Sequence, residues 1–198
     1  MILYKHTNFT GGSMSLRLLK RAIEDYAGRK AMASNQSPPA QFVLSKEPGG
    51  KPYLADFPRI QFSVSHSRAL WVCGIQEEAL GIDVEWVDSS RLQLKGASAE
   101  ARFMKIAGRF FAAAEQDYVR EQGLAGFYGV WVRKEAYIKY KGTGISENLS
   151  SFSVVSDGRL VAYAAPLYLA ELVVLKGAIG AYCSQVPMTV EAVVSLNL

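Results

Sequence analysis

Three short apolar segments in the middle of the chain constrain its fold more than any other feature. They are IQFSVS at 60–65, ALWVCGIQ at 69–76 and LGIDVEWV at 80–87, and polar or turn-forming residues separate them. Their length and their content of β-branched and aromatic residues are typical of strands. We therefore predict three consecutive strands in this part of the chain.

Helical patterns lie on both sides of these strands. Residues 15–27 carry apolar side chains at helical spacing, and Gly28 is predicted to end that helix. Residues 98–122 predict one or two helices, and residues 126–141 predict another. In the tail from Ser151, the segments SFSVV, LVAYAA, LYLAELVVL and AIGAYCS predict further strands. Because helices and strands do not alternate in a βαβ rhythm and no repeat has a fixed period, we predict an α+β fold.

The composition excludes several classes of protein. The 198 residues are 49% apolar and 20% charged, which is typical of a globular chain and excludes disordered, collagen-like and coiled-coil proteins. No apolar run reaches the roughly 20 residues that span a bilayer, and the first residues lack a signal-peptide pattern. Cys73 and Cys183 lie in apolar strand-like runs. We therefore expect buried free thiols in a reducing cytoplasm, without a disulfide framework or a zinc–thiolate site.

Charge and composition also vary along the chain. The net charge is +4, and the first 35 residues hold six lysines and arginines against Glu24 and Asp25. Such a basic end can attract phosphates or an acidic protein, or it can be an ordinary solvated helix face. The polar segment that follows the strand cluster predicts a boundary between an N-terminal lobe, residues 1–87, and a C-terminal lobe, residues 88–198.

Two acidic residues share one face of the third predicted strand. Asp83 and Glu85 are two positions apart, so their side chains point the same way while Ile82 and Val84 face the core. Two carboxylates this close repel each other unless one is protonated or a cation lies between them. Oxygen ligands of this kind suit Mg²⁺. An exposed strand can carry the same pair with no ligand.

A second acidic position lies in the predicted helix 126–141. Trp131, Glu135 and Lys139 follow one another at i, i+4, so Glu135 lies near the boundary of the buried face. A carboxylate there needs a partner, which is Lys139 or a metal ion. A surface ion pair between the two residues is the alternative.

The end of the first predicted strand carries FSVSHS. His66 with the flanking hydroxyls of Ser65 and Ser67 can donate several hydrogen bonds to a phosphate, or it can be a structural histidine. A hydrolase dyad is excluded because no G-x-S-x-G elbow is present and adjacent residues on a strand face opposite sides.

Five motifs together resemble one enzyme family. They match, in order and at similar spacing, the 4′-phosphopantetheinyl transferases of the surfactin-synthetase type, from about Gly50 to Val155: GKPYL (50–54), FSVSHS (62–67), GIDVE (81–85), RFFAAAE (109–115) and WVRKEAYIKYKGTGIS (131–146). Such proteins usually carry an N-terminal segment with basic residues near the 3′-phosphate and an H-x-x-D-x-x-R-x-x-x-G run, and that run has no match here. Lys5, Arg17, Lys20 and Arg21 are candidates to replace it.

The resemblance implies an enzyme that moves the phosphopantetheine arm of coenzyme A to a serine of an acyl or peptidyl carrier protein and releases adenosine 3′,5′-bisphosphate. It also implies two similar α+β lobes related by a pseudo-twofold axis, with coenzyme A in the cleft. The implied metal is Mg²⁺, with Mn²⁺ as an alternative. We further expect a monomer that binds neither nucleic acid nor a membrane.

The resemblance assigns the acidic and basic centre. Asp83, Glu85 and Glu135 correspond to the family's Mg²⁺ ligands, and Lys139 corresponds to the lysine near the pyrophosphate. The general base is either Glu135 itself or a metal-bound water held by Glu85. Glu115 matches a further acidic position whose role is open.

The same resemblance assigns the coenzyme A contacts. Ser65 and His66 correspond to residues near the 3′-phosphate, and Lys51 and Pro52 to the adenine-side loop. Lys134 is expected to bind coenzyme A together with Lys139. Two other functions stay open: a non-catalytic homologue that binds carrier proteins, and another Mg²⁺-dependent phosphoryl-transfer enzyme.

Overall fold

The computed structural model describes residues 1–35, 37, 41–87, 97–144 and 148–197. Its α-helices are Met14–Ala33 (α1), Ala97–Phe110 (α2) and Ala113–Lys141 (α3), and Leu149–Ser151 forms a 3₁₀ turn. The strands, in chain order, are Ile2–His6 (β1), Leu44–Lys46 (β2), Pro52–Leu54 (β3), Gln61–Ser67 (β4), Leu70–Gln76 (β5), Gly81–Trp86 (β6), Val155–Ser156 (β7), Arg159–Leu160 (β8), Tyr163–Ala164 (β9), Leu167–Glu171 (β10), Ala178–Ser184 (β11) and Ala192–Ser195 (β12).

Two four-stranded sheets form the framework. The first has the order β12-β1-β5-β4, and the second has the order β6-β11-β10-β9. In the first sheet, β1 pairs parallel with β12 and antiparallel with β5. In the second sheet, β11 pairs antiparallel with both β6 and β10. The strand β12, from the end of the chain, therefore lies in the first sheet, whereas β6 lies in the second.

Three apolar clusters show how these sheets and helices stack. Ile23 of α1 packs against Trp71 and the rest of the outer face of the first sheet. Val72 of β5 and Val84 of β6 belong to the cluster between the two sheets. Val132 of α3 packs against β10 and β11 on the far face of the second sheet, and α2 joins it there. The order of layers is therefore helix, sheet, sheet, helices, which confirms a mixed α/β architecture.

The backbone of strand β6 lies directly against the backbone of α3 at Gly81. A Cβ atom on Gly81 would lie 2.0 Å from the carbonyl oxygen of Ala136 and 2.4 Å from the backbone nitrogen of Tyr140. Only glycine avoids these backbone clashes, so its presence lets the start of β6 lie directly on α3. Residues two and four positions further along β6 consequently face the last turns of the helix.

Helix α3 ends just before Gly142, where KGTG in the sequence predicts a glycine stop. Gly142 adopts a left-handed conformation with φ of 70°, and its N–H donates to the carbonyl of Ile138 at 2.8 Å. This geometry favours glycine because it has no Cβ atom. Gly123 interrupts the same helix with non-helical backbone angles, so the expected break between residues 122 and 126 falls inside α3.

The middle of the sheet framework was the most predictable part. The three predicted strands are confirmed as β4, β5 and β6. The expected end of α1 at Gly28 is wrong, because the helix continues to Ala33. A glycine inside a helix costs about 1 kcal/mol, and burial of Ala31 beyond it offsets part of that cost. The terminal strands β1 and β12 were not predicted.

Three further expectations concern membrane spans, the lobe boundary and the cysteines. None of the helices in the described ranges has an apolar stretch long enough to cross a bilayer. The expected lobe boundary after residue 87 falls on residues 88–96, which lie outside the described ranges, so it stays a prediction. Cys73 and Cys183 are buried free thiols, as expected.

Candidate active site

Asp83 and Lys139 bring strand β6 and helix α3 together. Lys139 Nζ donates to Asp83 Oδ1 at 2.7 Å. The Asp83 side chain is nearly buried, with 8% exposure, whereas the Lys139 side chain is 28% exposed. Residue alternation along β6 explains the placement, because Ile82 and Val84 face the core between the sheets and Asp83 points to the opposite side.

Two further carboxylates lie close to Asp83. Burial raises the pKa of Glu85, and the charge of Asp83 adds to that rise. Burial also raises the pKa of Glu135, the charges of Asp83 and Glu85 raise it further, and Lys139 opposes the change. The ionised forms of Glu85 and Glu135 are therefore disfavoured by the negative charge of neighbouring carboxylates. The three acidic residues assigned from the motifs share one electrostatic site with Lys139.

The donor chemistry of this site fits a divalent cation. Fully ionised, the three carboxylates carry two more negative charges than Lys139 can neutralise, and carboxylate oxygens are the ligands that Mg²⁺ prefers. Among the described residues, no three histidine, cysteine or acidic side chains already have the spacing of a metal site. Lys139 instead occupies one oxygen of Asp83. The side chains that could hold a cation here are those of Asp83, Glu85 and Glu135, with Lys139 beside them.

Serines of β4 contact the two acidic residues of β6. Ser65 Oγ donates to Asp83 Oδ1 at 2.8 Å, and Ser67 Oγ donates to Glu85 Oε2 at 2.7 Å. Ser65 is 4% exposed, so its hydroxyl is enclosed between the two strands. The sequence interpretation assigned Ser65 to a phosphate of coenzyme A, but the structure places it on a carboxylate.

His66 lies on the opposite side of β4 from Ser65. Its side chain is exposed at the end of the strand, and its ring centroid lies 4.9 Å from that of Phe9. Ser65 and His66 are adjacent on a strand, so their side chains necessarily diverge. The structure therefore does not bring this predicted pair together, and the role of His66 in binding phosphate stays a prediction.

A groove runs beside Lys139 at the end of α3. Lys51 and Pro52 line it together with Lys139, Ile138 and Gly142, and its volume is about 240 Å³. The groove therefore brings the predicted adenine-side loop next to the predicted pyrophosphate lysine.

Lys51 itself is tied to the end of that helix. Its Nζ donates to the carbonyls of Tyr140 at 3.0 Å and Leu80 at 3.4 Å, and burial lowers its pKa. A cation at this position is favoured by the carbonyls exposed at a helix C-terminus. Lys51 thereby fastens the loop before β3 to α3.

Lys134 does not reach this site, which corrects the expectation that it binds coenzyme A. Its side chain is fully buried and pairs with Glu115 Oε2 at 2.9 Å. The same Nζ donates to the carbonyls of Leu149 and Phe152, both at 2.6 Å. Lys134 and Glu135 are consecutive residues of α3, so their side chains point in different directions. The side chain of Lys134 points to the interior.

The structure gives Glu115 a structural role. Its carboxylate accepts from the backbone N–H of Ala112 and from that of Val154, both at 2.7 Å, besides pairing with Lys134. The first contact caps the start of α3, because the N-terminal N–H groups of a helix lack intrahelical partners. Glu115 and Lys134 therefore anchor the segment around residues 149–154 to the beginning and the middle of α3.

Two contributors to the site were missed in the sequence. Ser67 was regarded only as a phosphate donor, and Gly81 was not regarded as a packing residue. The available signal was the repeat of serines at every second position of FSVSHS, which places three hydroxyls on one face of β4. The close approach of Gly81 to α3 depends on which helix packs there, which no local pattern indicates.

Comparison with known proteins agrees with this geometry. The family model of the 4'-phosphopantetheinyl transferase superfamily matches residues 79–177, which is half of the chain. The matched region contains β6 and α3, and hence all four residues of the acidic and basic centre. The chain belongs to this superfamily.

Its relatives define the type more narrowly. The chain is 33% identical over 120 residues to a 4'-phosphopantetheinyl transferase of Bacillus subtilis, covering 59% of this chain and 48% of the relative. It is 38% identical over 121 residues to the transferase psf-1 of Bacillus pumilus, covering 59% and 46%. It is 34% identical over 115 residues to the transferase Sfp of Bacillus subtilis strain 168, covering 56% and 46%. The expected surfactin-synthetase type is thereby confirmed, and the chain spans about half the length of the curated relatives it matches.

Proposed function

We propose that this chain transfers the 4′-phosphopantetheine arm of coenzyme A to a serine of an apo acyl or peptidyl carrier protein and releases adenosine 3′,5′-bisphosphate. The observation that carries the proposal is the contact of Asp83 with Lys139, beside Glu85 and Glu135, inside the region that matches the superfamily. Relatives with transferase names support the same reaction.

The chemistry of the centre supports transfer at a pyrophosphate. Asp83, Glu85 and Glu135 would hold Mg²⁺ or Mn²⁺, which supplies positive charge next to the reacting phosphate when it is bound. Lys139 adds a fixed cation and neutralises charge on the departing nucleotide. A preorganised cation of this kind needs no rearrangement while charge develops.

The transfer forms one bond to phosphorus, breaks another and moves one proton to a residue of the same centre. The carrier serine oxygen attacks the β-phosphorus of coenzyme A, and the bond from that phosphorus to the departing bisphosphate oxygen breaks. Glu135, which lies beside Asp83 and Lys139, accepts the serine proton. Glu85 lies close enough for its charge to act on Glu135 during this proton transfer.

The groove beside Lys139 is the proposed site of the nucleotide end of coenzyme A. Lys51 and Pro52 line the groove, and Lys139, which also lines it, pairs with Asp83 of the acidic centre. His66, at the exposed end of β4, is the proposed contact of the 3′-phosphate. Ser65 would contribute through Asp83 rather than through phosphate.

We also propose two lobes, residues 1–87 and 88–198, related by a pseudo-twofold axis. Each sheet is covered by helices on its outer face, α1 for the first and α3 with α2 for the second. Each of these two segments contributes its last strand to the sheet of the other. β6, the last strand of residues 1–87, pairs in the second sheet, and β12, the last strand of residues 88–198, pairs in the first. A twofold relation between the segments accounts for both exchanges, with β1 as an additional strand.

The carrier protein is proposed to dock by charge as well as by shape. Arg17, Lys20 and Arg21 are exposed on α1. Carrier proteins of this kind are acidic around the modified serine, so attraction to α1 would act mainly on the rate of encounter. Partly buried apolar residues on α2, among them Phe103 and Met104, are the proposed apolar part of the contact.

The cellular setting is proposed from the cysteines. Cys73 and Cys183 are free and buried, which suits a reducing cytoplasm. We propose that the enzyme acts there as a monomer.

A direct assay tests the reaction. The purified chain is incubated with coenzyme A, Mg²⁺ and apo-carriers of the fatty-acid, polyketide and peptide types, and the intact carriers are weighed by mass spectrometry. We expect at least one carrier to gain the mass of one phosphopantetheine, the carrier KM to rise with salt, and Asp83→Asn to abolish the gain. Carrier binding without modification would identify a non-catalytic homologue. Hydrolysis of a simple phosphodiester without coenzyme A would identify another phosphoryl-transfer enzyme.

A further inference from the structure

Strands β4 and β6 lie side by side although they belong to different sheets. β4 is the edge of the first sheet and β6 is the edge of the second. Two backbone N–H groups on the free edge of β6 donate to serine side chains of β4, from Ile82 to Ser63 Oγ at 2.9 Å and from Val84 to Ser65 Oγ at 3.2 Å. Serine hydroxyls thus take the place that backbone carbonyls have in an ordinary sheet.

The same row of serines also reaches the carboxylates of β6. Ser65 Oγ donates to Asp83 Oδ1, and Ser67 Oγ donates to Glu85 Oε2. We name Ser63, Ser65 and Ser67 the serine ladder. Among the described residues, the Ser63 hydroxyl contacts a backbone N–H, the Ser67 hydroxyl contacts a carboxylate, and the Ser65 hydroxyl contacts one of each.

The hydrogen-bond capacity of a hydroxyl fixes the direction of these contacts. A serine has one O–H donor and two acceptor lone pairs. Ser65 accepts from the N–H of Val84, so its single proton is free to point at Asp83, and only 4% of Ser65 is exposed to solvent. A hydrogen bond from Ser65 to phosphate would require breaking the bond to Asp83.

Glu85 needs such a contact even more than Asp83 does. Its side chain is longer and only half-buried, so it has more freedom to move than the nearly buried side chain of Asp83. A donor at 2.7 Å restricts where the Oε2 oxygen can lie. Lys139 also donates to the Asp83 oxygen that Ser65 contacts, whereas Ser67 is the hydrogen-bond donor for Glu85 within the described part of the chain.

We propose that Ser65 and Ser67 are positioning residues, which act through Asp83 and Glu85 by fixing the directions of their carboxylates at the acidic centre. Ser63 serves only to join the two sheets. The use of these carboxylates in transfer rests on the proposed function, whereas the positioning itself does not. Partners that orient metal ligands typically change metal affinity or activity by about 10–100-fold when they are removed.

A metal titration separates the three serines. Ser67→Ala, Ser65→Ala and Ser63→Ala are titrated with Mg²⁺ without coenzyme A, and the midpoint is measured by calorimetry. We expect the midpoint to rise about tenfold or more in Ser67→Ala and Ser65→Ala. The matched control Ser63→Ala should keep the wild-type midpoint while unfolding at a lower urea concentration. Ser67→Thr keeps the hydroxyl and should restore the midpoint. An unchanged midpoint in Ser67→Ala, or an equal rise in Ser63→Ala, would overturn the proposal.

A double-mutant cycle tests the contact without metal or substrate. Unfolding is measured in EDTA for Ser67→Ala, Glu85→Ala and the double variant, so a failure of the proposed transfer reaction has no influence on the result. We expect the pair to be coupled by at least about threefold in the unfolding equilibrium constant. The control cycle of Ser63→Ala with Glu85→Ala should be additive. Additivity of Ser67 with Glu85 would show that the hydroxyl does not hold the carboxylate.

Discussion

Lys139 Nζ lies 2.7 Å from Asp83 Oδ1, and this ion pair joins the last turn of α3 to the middle of β6. The lysine is 28% exposed, so water screens part of the attraction and the pair is not primarily a source of stability. Its value is geometric, because it keeps a cation at a fixed place among three carboxylates.

The acidic centre should be separable from the fold. Asp83→Asn and Glu135→Gln should each reduce transfer by about a hundredfold or more, because each removes charge where the phosphate reacts. Burial and neighbouring charges raise the pKa of Glu135, so its ionised form opposes folding at neutral pH. In EDTA, Glu135→Gln should therefore unfold at no lower urea concentration than the wild type. Near-normal transfer by both variants at saturating Mg²⁺ would contradict the assignment.

The buried pair in α3 should matter for stability instead. Glu115→Ala leaves Lys134 charged and fully buried, so we expect the free energy of unfolding to fall by about 3–5 kcal/mol. Urea denaturation measures the loss. Arg120→Ala is the control on the same helix, because it breaks the exposed pair with Asp117, which is worth about 1 kcal/mol or less. Equal losses in the two variants would show that the buried pair is not a structural anchor.

The close contact of β6 with α3 predicts opposite effects at two glycines. Gly81→Ala would place a methyl group 2.0 Å from the carbonyl oxygen of Ala136, so β6 must move away from α3. We expect a loss of about 1–3 kcal/mol and weaker transfer, because Asp83 moves with the strand. Gly28→Ala meets no atom within 4 Å in α1 and should gain about 0.5–1 kcal/mol. Thermal unfolding of both variants checks the signs, and a stable, active Gly81→Ala would refute the packing argument.

Acid sensitivity should depend on Asp25. Burial acts to raise the pKa of Asp25, but hydrogen bonds from Arg29 and Tyr4 outweigh it and lower the pKa in the folded protein. The stabilisation is therefore complete above the unfolded value of about 3.9 and is lost as the pH falls through the lower folded value. Asp25→Asn should reduce stability at pH 6 and flatten its decline below pH 4. Glu24→Gln removes a charge from the same helix without these hydrogen bonds, and it should retain the decline.

The predicted phosphate contact of His66 can be measured by calorimetry. If its imidazole binds the 3′-phosphate, His66→Ala should weaken the binding of coenzyme A by about 1.5–3 kcal/mol. The binding of 3′-dephospho-coenzyme A should be weakened much less. His66→Phe keeps an aromatic ring against Phe9 and should show the same selectivity loss. Equal weakening of both ligands by His66→Ala would show that the histidine only packs against Phe9.

The local sequence pattern was sufficient to predict elements that depend mainly on residues close together in the chain. The apolar content of β4, β5 and β6 and the glycine stop after Lys141 depend on neighbouring residues along the chain, and both are found in the structure. The end of α1 was misjudged because Gly28 is a weak local signal against burial of a residue further along the helix. Terminal strands such as β12 have too little local pattern to be distinguished from loops without their partner β1.

The sequence by itself determined the residue types of the acidic and basic centre: Asp83, Glu85, Glu135 and Lys139 were all identified from spacing and motif. Only the tertiary structure decided which neighbours they have. Lys134 and Glu135 are adjacent in the chain, yet one is buried with Glu115 and the other lies beside Asp83. Residues one position apart on a helix differ by about 100° in direction, so the packing of α3 against β6 decides which of them reaches the centre. Electrostatic partners come from elements far apart in sequence, and a local pattern carries no information about such contacts.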